Sequence, residues 1–188
     1  SFLEAYQGEY AQQVRVFLVG RALLTAACLL ILLIYEEGVP RLFAGAYVTL
    51  IAALAVAAIQ LLAFRSSRRF ERLAVSAVVV DVIVASVICY LTGGIYNIGF
   101  AFLYFAAILA AVVLISDRAG YLVATLAIVA MVAVAGFYGV AASNAVEPML
   151  VHPKLFEEIV SNMRPGPVTA NLIGILLAIG VARFLASF

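Results

Sequence analysis

The sequence predicts an all-α membrane protein: a bundle of six transmembrane helices, with amphipathic interfacial helices at the N-terminus and in the last outer loop. Three observations lead there. Hydrophobic residues fill 67% of the 188 positions and charged residues only 11%, against roughly 25% charged in ordinary soluble proteins, so a soluble fold would have no way to cover its apolar surface. The apolar residues fall into six runs of the length, about 20 residues, at which an α-helix crosses a hydrocarbon core about 30 Å thick. Basic residues gather on alternate sides of those runs, which gives the bundle a polarity.

The runs are approximately residues 14–35, 42–64, 73–92, 98–116, 120–142 and 168–188. Helices are preferred to strands because backbone in lipid must satisfy its own hydrogen bonds, and these runs are too long and too evenly apolar for barrel strands. Residues 1–13 place Phe2, Leu3, Tyr6 and Tyr10 opposite Glu4, Gln7 and Glu9. That spacing predicts a helix lying on the inner surface before it turns into the first span. The first run is too long for a signal-peptide core and has no convincing small-residue cleavage site, so it is expected to remain as a helix.

Between the second and third runs stands a basic cluster, Arg65, Arg68, Arg69 and Arg72, placed to meet anionic lipid headgroups. The third run carries an acid, Asp81, and ends at Thr92-Gly93-Gly94, where paired glycines permit the positive φ of a sharp reversal. The fourth and fifth runs are separated only by Asp117-Arg118-Ala119. In the long connection 143–167, Pro153 precedes Leu155, Phe156, Ile159, Val160 and Met163 on one face, with Glu157, Glu158 and Asn162 on the other. With Pro165-Gly166-Pro167 as a stop, this predicts a short amphipathic helix on the outer leaflet. The sixth run repeats small residues every fourth position, Ala170, Gly174, Ala178, Ala182 and Ala186, a stripe suited to close helix packing.

Orientation follows from charge. Arg15, Arg21, Arg65, Arg68, Arg69, Arg72, Arg118 and Arg183 fall on one side and Arg41, Lys154 and Arg164 on the other, which puts the first set and both termini on the cytoplasmic side. A net charge of +1 gives no reason to expect a nucleic-acid partner.

Asp81 falls near the middle of its run, where a carboxylate costs a few kcal/mol even on the low scales, about 3. Ala77, Asp81, Ala85 and Cys89 share a stripe of small side chains, so Asp81 is expected to face another helix. Two roles are open: a polar lock or partner contact, and a structural hydrogen bond to a Tyr or Thr hydroxyl. Cys28 and Cys89 lie inside apolar runs and are read as packing residues. His152 has no second ligand near it, so no metal is expected, and no cofactor. No Ser-His-Asp set, HExxH, Walker A loop or CxxC occurs, which argues against catalysis within these residues.

From Val80-Asp81-Val82 through Tyr90-Leu91-Thr92-Gly93-Gly94-Ile95-Tyr96-Asn97-Ile98-Gly99 the chain resembles the membrane region of the type IV pilus sensor histidine kinases, the PilS family. The shared features are an aspartate in the third helix, a Gly-Gly turn about a dozen residues on, and a glycine at the start of the fourth helix. The likeness continues weakly through Leu114-Ile115-Ser116-Asp117-Arg118-Ala119-Gly120. The resemblance implies a sensor domain that monitors the transmembrane helix of the major pilin, as part of a homodimeric kinase whose cytoplasmic PAS and kinase domains lie beyond residue 188. It implies a polar switch or partner-binding site at Asp81, Gly93, Gly94 and Asn97, and signal output through Ala170, Gly174, Ala178 and Ala182. The chain itself holds no phosphoacceptor, because its one histidine is followed by proline on the outer side, and it is expected to be an excised piece. The alternative is a small transporter or a membrane protein that binds lipid or a small molecule.

Overall fold

A computed structural model of the chain describes residues 2–35, 44–66, 70–93, 102–144, 151, 153–161, 163, 169–170, 173–177 and 179–181. Among the described residues all regular structure is helical: α1 (Phe2–Tyr35), α2 (Ala44–Ser66), α3 (Phe70–Thr92), α4 (Phe102–Leu114), α5 (Asp117–Ser143) and α6 (Pro153–Ser161). A further helical stretch covers 169–170, 173–177 and 179–181. Four helices are long and apolar enough to cross a membrane, over Gly8–Ile34, Ala44–Phe64, Phe70–Thr92 and Arg118–Ser143. α4 carries no charged residue but has only 13 residues, about 20 Å of helix.

Each long helix buries one stripe. On α2 the buried residues are Ala46, Leu50, Ala53, Ala57 and Gln60, at the three- and four-residue steps that return a helix to the same face. On α1 they are Val14, Leu18, Arg21, Cys28 and Leu32. The opposite faces carry Leu23, Ile34, Val48, Ile59, Leu122 and Val129, all more than half exposed. Large aliphatic side chains spread over that much surface are what a lipid environment accepts and water does not.

α2 packs against α1 and α3, and α3 lies also against α4 and α5. The larger core joins Val14 and Leu18 of α1, Ala77 and Ala85 of α3, Tyr104 and Ile108 of α4, and Ala124 and Met131 of α5. A second core, toward the other end, joins Cys28 and Leu32 to Leu50 and to Ile88 and Leu91. Alanine recurs in the larger core, and Ala46 and Cys28 are the small residues of the second, which lets backbones come close enough for dispersion contacts to hold helices that gain little from the hydrophobic effect in lipid.

Two boundaries differ from the sequence reading for a local reason. The turn expected between residues 13 and 14 is absent: α1 is one helix of 34 residues, about 51 Å long, because no proline or glycine pair interrupts it. Its first turns are held to the bundle where the Tyr10 hydroxyl donates to the Leu114 carbonyl at 2.9 Å, satisfying one of the orphan acceptors at the end of α4. α5 begins at Asp117, not 120, because Ser116 is extended and its side chain accepts from the Ala119 amide at 3.2 Å, an N-cap. Gly120 then lies directly over the Val112 side chain, so the absence of a Cβ there sets the close approach of α4 and α5.

α6 forms where its period predicts, with Leu155, Phe156 and Ile159 buried and Lys154, Glu157 and Glu158 exposed. Its apolar face is turned onto protein and not onto a leaflet. It covers Tyr138 and Ala141 of α5 and Tyr90 of α3, with Val151 and Met163 closing the cluster. The Tyr138 hydroxyl donates to the Tyr90 carbonyl, and Tyr138 stacks on Phe156 with ring centroids 6.2 Å apart.

Candidate functional site

Asp81 points into the bundle, and its partner is a charge. Arg21 Nε donates to Asp81 Oδ1 and Arg21 Nη1 donates to Gln60 Oε1. Gln60 Nε2 donates in turn to Ser76 Oγ at 3.2 Å, and the Ser76 hydroxyl donates to the Leu73 carbonyl at 2.9 Å. One connected polar network therefore ties α1, α2 and α3. Arg21 is the middle residue of the span Gly8–Ile34, thirteen from either end, and Asp81 the middle of Phe70–Thr92, eleven from either end. Both sit at the depth where an unpaired charge is most costly, and each is the other's compensation. The reading of Arg21 as a cytoplasmic loop charge is thereby corrected, and the positive-inside count falls from eight to seven against three.

Arg21 and Gln60 are the residues sequence reasoning missed. Their signal was present: each interrupts an apolar run, and each falls on the buried stripe of its helix, Arg21 in step with Val14, Leu18, Cys28 and Leu32, Gln60 in step with Ala53 and Ala57. Read against the helical period they point inward at the level of Asp81. The Tyr or Thr partner considered for Asp81 is not the one found. The Tyr104 hydroxyl instead donates to Ser86 Oγ at 2.9 Å.

The pair forms the floor of a groove of about 690 Å³ between α1 and α4. Val16, Gly20, Leu24 and Cys28 form one wall, Leu103, Ala106, Leu109 and Val113 the other, and Val84 lies beside Asp81 on the floor. At the end nearer the start of α1 the lining becomes polar, with Glu9, Gln12 and Gln13. The rims Val16 and Val113 are 65% and 53% exposed, so the groove opens on the lipid side. Burial is unequal within the pair: the Arg21 side chain is 4% exposed and the Asp81 side chain 21%. The guanidinium gives Nε and Nη1 to protein acceptors, and the carboxylate is the more exposed member of the pair where the groove meets it.

The other residues singled out from sequence lie elsewhere. Gly93 has φ +64° and sits beneath Ile159, capped by α6 and away from the groove. Gly174 packs on Phe105, whose Cζ lies 2.6 Å from where a Cβ would stand. Ile175 beside it is fully buried in the larger core, while Ala170 is exposed. Arg65 lies in the last turn of α2, and Arg72 is exposed in the first turn of α3. Arg68, Arg69, Gly94, Asn97, His152, Ala178 and Ala182 lie outside the described residues.

Among the described residues no group of three His, Cys, Asp or Glu is placed to hold a metal ion, and the two cysteines are free and buried. A salt-bridged pair in an apolar groove can recognise a dipole, and can hold three helices in one arrangement. No family model, no curated protein and no solved structure matches the chain.

Proposed function

We propose that this chain is the membrane-embedded sensor domain of a two-component histidine kinase. In this reading six helices span the inner membrane with both termini cytoplasmic, and the arginines at 65, 68, 69 and 72 meet lipid headgroups. The groove between α1 and α4 recognises a membrane partner, for which the PilS resemblance suggests the transmembrane helix of the major pilin. The stretch that includes Gly174 carries the change to PAS and kinase domains beyond residue 188, in a receptor that works as a homodimer. The observation that supports it best is the Arg21–Asp81 pair at the foot of a lipid-facing groove: a charged pair linking three helices is a two-state element in waiting, made or broken as the helices shift.

Gly174 supports the output role. Close contact with Phe105 of α4 joins the last helical stretch to the helix that forms one wall of the groove. In the intact receptor, Asp81→Ala and Gly174→Leu are each expected to change kinase output severalfold, read as phosphotransfer in membrane vesicles with and without the pilin helix. Unchanged output and unchanged pilin response in both variants would remove the proposal. The volume of the groove, about 690 Å³, favours a second reading, a transporter or a binding protein for lipid or small molecules, which predicts saturable uptake or binding with no downstream domain.

A further inference from the structure

The groove differs from an ordinary lipid-facing crevice in its floor. Its volume of about 690 Å³ falls in the range of small-molecule sites, about 300–1,000 Å³. A helix is about 10 Å across, so that volume encloses only about 9 Å of one, or six residues. A helix can lie over this groove but cannot fill it. The walls are aliphatic, and the small residues Gly20 and Ala106 leave room between them at the depth of the charged pair.

The hydrogen-bonding character of the floor is fixed by which atoms are taken. Arg21 Nε occupies Asp81 Oδ1, and Arg21 Nη1 occupies Gln60. No donor reaches the second carboxylate oxygen in any described hydrogen bond, and the Asp81 side chain is five times more exposed than that of Arg21. An ionised carboxylate only accepts. The pair is neutral as a whole, so the groove offers an acceptor without a net charge. A ligand that carries its own full charge would be left uncompensated at mid-bilayer. A neutral molecule with one O–H matches both conditions.

We infer that the groove between α1 and α4 binds a neutral, hydroxyl-bearing lipid whose O–H donates to the free oxygen of Asp81. This rests on the groove being the recognition site of the sensor, where the partner helix lies over the opening, and names the molecule that fills the volume beneath it. The chain of the lipid lies along Leu24, Cys28 and Leu103, and its hydroxyl supplies a hydrogen bond that hydrocarbon could never supply.

The test uses this chain in phosphatidylcholine nanodiscs with two photoreactive probes: a long-chain alcohol bearing a diazirine, and its methyl ether, which can accept but not donate. Labelling is mapped by mass spectrometry. The alcohol is expected to mark the groove segments of α1 and α4 about fivefold more than the ether does, the discrimination that one net hydrogen bond supplies. Asp81→Asn keeps an oxygen for Arg21 and turns an N–H toward the groove, so the preference should fall to parity or invert. Ala106→Phe, at an exposed position on the wall, leaves the pair intact and should abolish groove labelling by both probes. Equal labelling by alcohol and ether in the native chain, or an unchanged ratio in Asp81→Asn, would overturn the inference, as would labelling no stronger in the groove than on the Leu122 and Val129 face of α5. Because the readout needs no kinase domain, its failure is separate from a failure of the signalling test.

Discussion

Replacing Asp81 or Arg21 alone with alanine is expected to destabilise the bundle by about 3–5 kcal/mol, the cost of stranding one member of a buried ion pair. The reason is positional. Arg21 stands at the centre of its span with its side chain 4% exposed, and its hydrogen bonds to Asp81 and Gln60 are its means of remaining charged there. In Asp81→Ala the guanidinium keeps one neutral amide partner and no counter-charge. In Arg21→Ala a carboxylate stays at mid-span, and the Gln60 oxygen loses its donor too. Both variants should lose resistance to denaturing detergent, followed by circular dichroism during an SDS titration in mixed micelles. Gln60→Leu should cost less, on the order of 1–3 kcal/mol, because it removes a hydrogen bond and leaves the charges paired.

Gly93→Val is expected to cost about 2–5 kcal/mol and to release α6 from the bundle. Two penalties combine at this position. A φ of +64° is left-handed, where a residue with a Cβ pays roughly 1–2 kcal/mol and a β-branched one fares worst. The space above is already filled, since Ile159 lies against the site a Cβ would occupy, and overpacking a fitted core costs roughly 1–3 kcal/mol. The second penalty can be relieved without the first: Gly93→Ala in an Ile159→Ala background should retain mainly the backbone strain. Hydrogen exchange over Pro153–Ser161 checks the local claim. Fast exchange there in Gly93→Val, with α1–α3 still protected, is the expected pattern.

How much of this was legible in the sequence depends on what each residue needs from its neighbours. The helices were readable because lipid imposes a length and an apolar content on every span, which is why the four long spans lie close to the runs at 14–35, 42–64, 73–92 and 120–142. The face of α6 was readable from period alone. Where that face points was not, because a leaflet and the ends of α3 and α5 ask for the same aliphatic side chains. The inward turn of Asp81 followed from its small-residue stripe, Ala77, Ala85 and Cys89. Its partner did not, since an arginine seven residues into an apolar run satisfies both the topology rule and the buried stripe, and only the helical register of Val14, Leu18 and Cys28 separates the two. A partner site at Asp81 was expected together with the Gly93-Gly94 turn, but the walls that the groove has, α1 and α4, were not legible. The groove arises from how far α1 stands from α4 over a floor supplied by α3, a distance between elements remote in sequence.

The central claim is that Arg21 and Asp81 are paired in the lipid-embedded middle of the bundle and form the floor of its groove. The coupling energy between them tests it most directly, measured as a double-mutant cycle of native chain, Arg21→Ala, Asp81→Ala and the double variant unfolded under one set of conditions. The pairing predicts strong non-additivity, with the double variant more stable than the sum of the single losses by at least about 2 kcal/mol, in the upper range of direct contacts. Additive losses, with a coupling energy near zero, would contradict it.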